Sequence, residues 1–459
     1  MSRQRRGAWA TLLALLLCAS LVLRGGADAA DGVIAGAAGA TGAARALVVL
    51  GTAKQRATYS AFLTMLAEVQ SSVEVVEASE GFSLMKYGDR QYDNVVILAP
   101  RVSSFASPDV SARGLTAFLE KGGNVFITAD HGFSSPIQSI TSALGVGLDE
   151  KGAIAVDHTS HNATLAPSTP SKKADRGPSA LLATTGVYPT QALLEEPLAA
   201  PVLFRGVCSV LPAQSDTLLP ALWAEDTGYS FREGRSHARR APVAGQLCSL
   251  ATLVQARNNA RAVVLGSTDM LSNTVMGSPV EVPGRGRWDA PGNARLARAL
   301  AEWAFQRNGV LRMTRFDHVV TNRPGVPRNP EQYRVSDDVT LTVRMERLVS
   351  GQWQPYASDA VQASFVMLDP YVRRTLSHDG KGNFKLEFKV PDVYGVFKYV
   401  VRHRDPGFSA VDLEHVQGVR PFRHDEYPRF LTQAYPYYTA AFSMIGAFLA
   451  MTSVMLYHK

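Results

Sequence analysis

Cysteine is scarce in this chain of 459 residues, which has three, and no cluster of ligands with paired zinc-type spacing is present. Charge is sparse too, at 19% of residues. The net +7 is scattered, and no stretch interleaves basic clusters with aromatics as single-strand or groove binders require, so a nucleic-acid partner is excluded. A G-x-S-x-G nucleophile elbow and a phosphate-cradling G-x-x-x-x-G-K-[ST] loop are both missing. With 37 glycines and 25 prolines, usage is that of a globular protein and not of a collagen-like or wholly disordered one. A mean hydropathy of −0.03 is too polar for a multi-span transporter. At about 150 residues per domain the length leaves room for roughly three folding units.

Long apolar runs occur only at the two ends. Residues 1–29 have the form of a secretory signal: basic Arg3 to Arg6, an apolar run from Ala8 to Leu23, and small residues ending Ala27-Asp28-Ala29. An uncleaved anchor is the alternative reading. Removing the segment takes away four arginines and one aspartate and leaves a net charge of about +4. At the other end no charged residue lies between Arg429 and His458, and residues 435–457 are long enough to span a bilayer hydrocarbon core of about 30 Å. Tyr435, Tyr437, Tyr438 and Tyr457 sit where an interfacial aromatic belt belongs. A buried core helix, or a tail removed during lipid anchoring, is the competing reading. A signal followed by a stop-transfer span gives a single-pass type I topology with only residues 458–459 in the cytosol. Within the span Ser443, Gly446, Ala447, Ala450 and Ser453 recur at spacings of three and four, which reads either as a small-residue face for docking another membrane helix or as ordinary transmembrane composition.

Between the ends, residues 30–44 read as a Gly/Ala-rich linker. Their glycines precede the first strand, whereas a dinucleotide fingerprint must follow one. Residues 45–310 read as an α/β region with a parallel sheet covered on both faces, with a division into two subdomains near 165–175 left open. Its expected strands are Ala46 to Leu50, Val73 to Val76, Asn94 to Pro100, Asn124 to Thr128 and Ala262 to Leu265. Its expected helices are Tyr59 to Val69, Val110 to Glu120 after a start signal at Ser107-Pro108-Asp109, and Asn293 to Gln306. Residues 311–425 change to the alternation of antiparallel strands and suggest a β-sandwich, with strands at Val339 to Met345, Ala363 to Leu368, Phe384 to Val390 and Val396 to Val401.

Few residues suggest chemistry. Asp130-His131 lies at the carboxyl end of a strand, where open α/β folds bind ligands, so His131 is a candidate base, with a plain loop histidine as the other reading. Asp157, His158 and His161 are close enough in sequence to suggest a metal site, though no second ligand cluster accompanies them. Asn162-Ala163-Thr164 is a glycosylation sequon in a polar segment expected to be a loop. Cys18 departs with the signal, leaving Cys208 and Cys248. They either bridge, contributing about 3 to 4 kcal/mol, or remain free thiols.

Several stretches then carry a resemblance: Ser83 to Gly88 (SLMKYG), Tyr92 to Val95 (YDNV), Val156-Asp157-His158, Gln255 to Arg261 (QARNNAR), Gly266 to Asp269 (GSTD), Asp369 to Arg373 (DPYVR), Val390 to Phe397 (VPDVYGVF), Val419 to Pro421 (VRP) and Ala434 to Met444 (AYPYYTAAFSM). In this order they resemble the family of 48 kDa, wheat-germ-agglutinin-binding subunits of eukaryotic oligosaccharyltransferase. The resemblance implies a non-catalytic subunit of the endoplasmic reticulum membrane complex that transfers a preassembled glycan from dolichyl diphosphate to Asn in N-x-S/T sequons. It implies a mainly lumenal chain with no cofactor or metal of its own. The implied partners are the catalytic subunit, a ribophorin-type subunit and a small multi-span subunit. Some members end in a lysine-rich retrieval tail; this chain ends Tyr457-His458-Lys459, so retention through assembly is the expectation. The rival reading is a membrane-anchored lumenal hydrolase, or a sugar-binding protein, with His131 as the hydrolase's base.

Overall fold

The architecture is that of a computed structural model in which residues 44–163, 181–212, 215–232, 243–427 and 432–458 are described. The signal, the linker and the subdomain boundary expected near 165–175 lie outside the described residues.

Nearly continuous apolar strands alternating with helices build the first unit. Its main sheet runs in the order Ser72–Glu77, Arg45–Leu50, Asn94–Leu98, Asn124–Thr128, Arg261–Leu265 and Ser249–Gln255. The first five of these pair in parallel, while Ser249–Gln255 is antiparallel to Arg261–Leu265. Successive strand residues face opposite sides, so Val48, Leu50, Val96 and Leu98 pack with Phe62, Leu66, Leu296 and Leu300 in one core. Leu47, Val49, Val95 and Ile97 pack with Leu115, Phe118, Ile137 and Ile140 in another. Helices Ser60–Val69 and Asn293–Ala304 therefore cover one face, and Ala112–Glu120 and Ser135–Ala143 the other. Each fully buried Phe or Leu contributes about 1.5 to 3 kcal/mol.

Two local expectations change. The helix expected from Val110 begins at Ala112, capped by the Ser111 hydroxyl, which accepts from the Gly114 N–H at 3.2 Å. Asp109 instead accepts from the Leu84 N–H at 2.7 Å and fixes the preceding loop. The sheet is also not wholly parallel: Ser209–Val210 and Leu218–Trp223 pair antiparallel with Ser249–Gln255 and extend it. These strands come from the weakly periodic stretch whose prolines and short apolar runs hid them.

The second unit is two antiparallel-dominated sheets face to face. One contains Val310–Val320, Asp338–Val349 and Asn383–Lys389; the other Gln332–Arg334, Val411–Arg420, Gly395–His403, Gln362–Val366 and Pro370–Thr375. Inward residues alternate along each strand, Val339, Leu341, Val343 and Met345 meeting Phe397, Tyr399 and Val401. Phe365 and Phe397 stack with ring centroids 4.5 Å apart. The strand expected to reach Leu368 ends at Val366. The long strands Val310–Val320 and Val411–Arg420 were not anticipated, because His318 and His415 interrupt their apolar pattern.

One helix of the described residues is long and apolar enough to cross a membrane, Thr432–Tyr457, with mean hydropathy 1.7.

Candidate functional site

Parallel strands place their following loops at one edge. Ala99-Pro100-Arg101, Ala129-Asp130-His131 and Gly266 to Asp269 all leave the sheet there. Asp130 is buried, and its carboxylate accepts from Arg101 Nε at 2.8 Å and from the His131 N–H at 2.7 Å. The His131 ring Nδ1 lies 2.5 Å from Oδ1, the same oxygen that accepts the His131 N–H, while Arg101 holds Oδ2. Burial by itself raises the Asp130 carboxyl, but His131 and Arg101 outweigh it and hold it below the usual range. Asp269 shifts the other way, raised by burial and then by the charge of Asp130, with Arg205, Arg101 and His131 opposing. The Tyr59 hydroxyl is also pushed up, by burial first and then by Asp269 and Asp130.

A close crossing of two glycines brings Arg205 to this edge. A Cβ on Gly206 would stand 2.0 Å from Gly266 O, and one on Gly266 would stand 2.1 Å from Val207 O. In that contact the Val207 N–H donates to Gly266 O at 2.9 Å and Ser267 Oγ donates to Arg205 O at 2.6 Å. Thr268 Oγ1 donates to Ala129 O at 3.2 Å. These hydroxyls therefore act as loop ties. Chemically the edge is a charged clasp joining three loops, with the Arg101 side chain 60% exposed at its rim.

The sequence pointed to Asp130 and His131 but missed Arg101, Arg205, Asp269 and Tyr59 as their surroundings. A charged residue directly after the buried run ending at Pro100 was the available signal for Arg101.

The Asp157 group does not converge. The Asp157 carboxylate accepts from the Thr159 and Ser160 N–H groups at 2.8 and 2.9 Å and from Thr227 Oγ1 at 2.8 Å, which holds its carboxyl low although burial opposes this. His158 Nε2 meets Tyr229 Oη at 3.2 Å, and His161 bridges to Leu182. No group of three His, Cys, Asp or Glu with metal-site geometry occurs among the described residues.

Asn162 is a correction to the expected acceptor loop. It is buried, its Nδ2 donates to Pro279 O at 3.1 Å, and its Oδ1 accepts from the Glu281 N–H at 3.1 Å. The folded chain uses this amide to tie two segments together and does not display it. Cys208 and Cys248 are joined as a disulfide with Cα atoms 5.0 Å apart, in the same buried core.

The two units are welded. Arg261 is fully buried and donates to Trp303 O, Asn308 O and Gly309 O at 2.9, 2.6 and 2.6 Å. Trp303 Nε1 donates to Gly407 O at 2.7 Å, and Gln255 Nε2 to Phe408 O at 2.8 Å. Asn259 both donates to Ala410 O and accepts from its N–H. The QARNNAR stretch is thus the hinge pin between sheet and sandwich.

On the C-terminal helix, Ser443 and Ser453 hydroxyls donate to Ala440 O and Leu449 O, and nothing lies within 4 Å of a Cβ built on Gly446.

Fold and site define a protein of two rigidly joined units, an α/β sheet and a β-sandwich, followed by one apolar helix of membrane-spanning length. Family models give it a place: that described as OST48, N-terminal domain matches residues 37–307, and that described as OST48 middle domain matches residues 319–459. The chain belongs to the OST48 family. It is 32% identical over 419 residues to a protein of Arabidopsis thaliana named dolichyl-diphosphooligosaccharide–protein glycosyltransferase 48 kDa subunit, covering 90% of this chain and 93% of that one. Proteins of the same name from Danio rerio and Caenorhabditis elegans are each 33% identical, covering 91% and 90% of this chain and 92% of each relative. Among solved structures, a ThuA-like protein from Parabacteroides merdae aligns over 57% of this chain and 90% of its own at 14% identity, with a TM-score of 0.28, too low to carry an argument.

Proposed function

We propose that this chain is a non-catalytic subunit of an oligosaccharyltransferase complex in the endoplasmic reticulum membrane, with its two folded units in the lumen. The observation that carries the reading is collinear similarity to named 48 kDa subunits across about 90% of both chains. Its role is to hold other subunits in place. A scaffold needs a fixed relation between its parts, and the Arg261 and Trp303 contacts supply one. The catalytic subunit, a ribophorin-type subunit and a small multi-span subunit are the proposed partners, and glycosyl transfer takes place in the first of these.

A hydrolase based on His131 is less well supported. Its neighbouring carboxylate, Asp130, is engaged by Arg101, and the Ser267 and Thr268 hydroxyls donate to backbone carbonyls. Affinity purification of the tagged chain from native membranes tests the proposal. Glycan transfer to a sequon peptide is expected to co-elute, and a chain recovered without any such activity counts against it.

A further inference from the structure

The sandwich has two unlike ends. Strands Gly395–His403 and Val411–Arg420 pair along their length, His403 with Val411 at one end and Gly395 with Val419 at the other. At about 3.3 Å per residue the ends are roughly 25 to 30 Å apart. The end near His403 is plugged into the α/β unit through Gly407 and Phe408. The end near Gly395 is bare and apolar: Leu368 is 91% exposed, Tyr394 69% and Val396 64%, with Tyr371 and Val416 exposed beside them. Large exposed side chains gathered at one tip mark an interaction surface.

The chain leaves for its apolar helix from this same tip. Beyond Arg420 it does not run free. The Arg420 guanidinium makes two bonds of 2.6 Å to Glu426, the Arg423 N–H donates to Glu426 at 2.9 Å, and Arg334 lies over the Phe422 ring at 5.0 Å. Only residues 428–431 separate Tyr427 from the first turn of the helix at Thr432. At the 3.8 Å spacing of consecutive Cα atoms that tether spans at most about 19 Å. A tether so short keeps this end of the sandwich close to whatever surface the helix enters.

We propose that the tip formed by Leu368, Tyr371, Tyr394 and Val396 rests in the headgroup layer of the bilayer, as a second membrane contact beside the helix. Tyrosines with flanking aliphatic residues are the chemistry that partitions to this layer. The charges around the tip are mixed, Lys389, Lys398, Arg420 and Arg423 against Asp369, Asp392, Asp425 and Glu426, so the contact suits neutral zwitterionic headgroups and not an anionic lipid patch. Fixing the tip this way sets the height and tilt of the whole welded body above the membrane. The inference rests on Tyr435–Tyr457 being the anchor.

Spin labels test it on the full chain reconstituted in phosphatidylcholine vesicles, at Leu368→Cys and Tyr394→Cys. Lys381→Cys, on the turn at the opposite end of the sandwich, serves as the aqueous control, and Phe448→Cys reports insertion of the helix. Collision with oxygen relative to a water-soluble nickel chelate is expected to rise several-fold at Leu368 and Tyr394 over Lys381. Tip labels as water-exposed as Lys381, in a sample whose Phe448 label is buried in lipid, overturn the proposal. Tip labels that become shielded only in the purified complex also overturn it, in favour of a protein partner. A water-exposed Phe448 label contradicts the anchor itself and with it the proposal.

Discussion

The Arg261 guanidinium lies over the Trp303 ring, 4.6 Å from its centroid, while its donors are used on the carbonyls of Trp303, Asn308 and Gly309. Arg261 opens a strand of the sheet and Trp303 sits in the last turn of a covering helix; the carbonyls Arg261 satisfies belong to the segment from that helix into the sandwich, and Trp303 reaches Gly407 O in a sandwich loop. One buried cation therefore anchors the connecting segment, while Trp303, Gln255 and Asn259 bond the sandwich directly.

Replacing Arg261 with Met removes charge-assisted bonds to three carbonyls and leaves Asn308 O without its donor, while Trp303 O and Gly309 O keep the Gln306 and Ser409 N–H groups, a loss of roughly 2 to 4 kcal/mol. Arg261→Lys is expected to recover little, since a single ammonium cannot span the three acceptors. Thermal unfolding of the full chain in detergent measures the loss, and limited proteolysis near residue 309 reports the loosened junction.

Gly266→Ala is expected to destabilise by roughly 2 to 3 kcal/mol, because the new Cβ meets Val207 O at 2.1 Å. The added methyl forces apart the crossing that carries Arg205 to the Asp130 clasp. Unfolding of this variant against Gly277→Ala, where the nearest contact is a roomier 3.3 Å, separates the steric effect from a general cost of replacing glycine.

Acid is expected to weaken the sandwich. His318 is buried with Nδ1 2.6 Å from Tyr333 Oη, and burial, then His415, push its imidazole down to about 4 against the pull of Asp317. The unfolded chain takes up this proton below about pH 6.5, whereas the folded chain resists until about pH 4. Stability is thus full above pH 6.5 and falls as pH drops through that window, by roughly 3 kcal/mol from this group. His403 and His415, both lowered first by burial, act in the same direction. Melting curves between pH 7.5 and 4.5 should flatten in His318→Gln.

Much of this architecture was legible, for a physical reason. Buried parallel strands such as Asn94–Leu98 are nearly pure apolar runs, and Leu296, Leu300 and Trp303 repeat on one helical face, so both announce themselves. Boundaries followed caps that only the fold reveals: Ser111 and not Ser107 starts its helix because Asp109 is drawn to Leu84 N–H. The clasp was half visible. Asp130 and His131 stood out by their place after a strand, but Arg205 is brought within electrostatic range of Asp269 by a backbone crossing between residues some 60 apart, which no local pattern encodes. Asn162 misled for the opposite reason. A sequon is a local signal, while its burial comes from pairing with Pro279 and Glu281.

The small-residue face of the C-terminal helix, Ser443, Gly446, Ala447, Ala450 and Ser453, is expected to pack against a partner helix. Gly446→Leu with Ala450→Leu fills that face without adding charge. Recovery of multi-span partners with the tagged chain should fall several-fold while the chain's own level in the membrane holds. Unchanged recovery rejects the docking face.

The most direct measurement is occupancy of a sequon reporter after depletion of this chain, with re-expression of wild type or of His131→Ala. Occupancy is expected to fall on depletion and, on the proposed non-catalytic role, to return fully with either form, His131 being held against the Asp130 carboxylate. Normal occupancy after complete depletion, or rescue by wild type alone with His131→Ala folded and assembled, would contradict a non-catalytic scaffold subunit of the glycosylating complex.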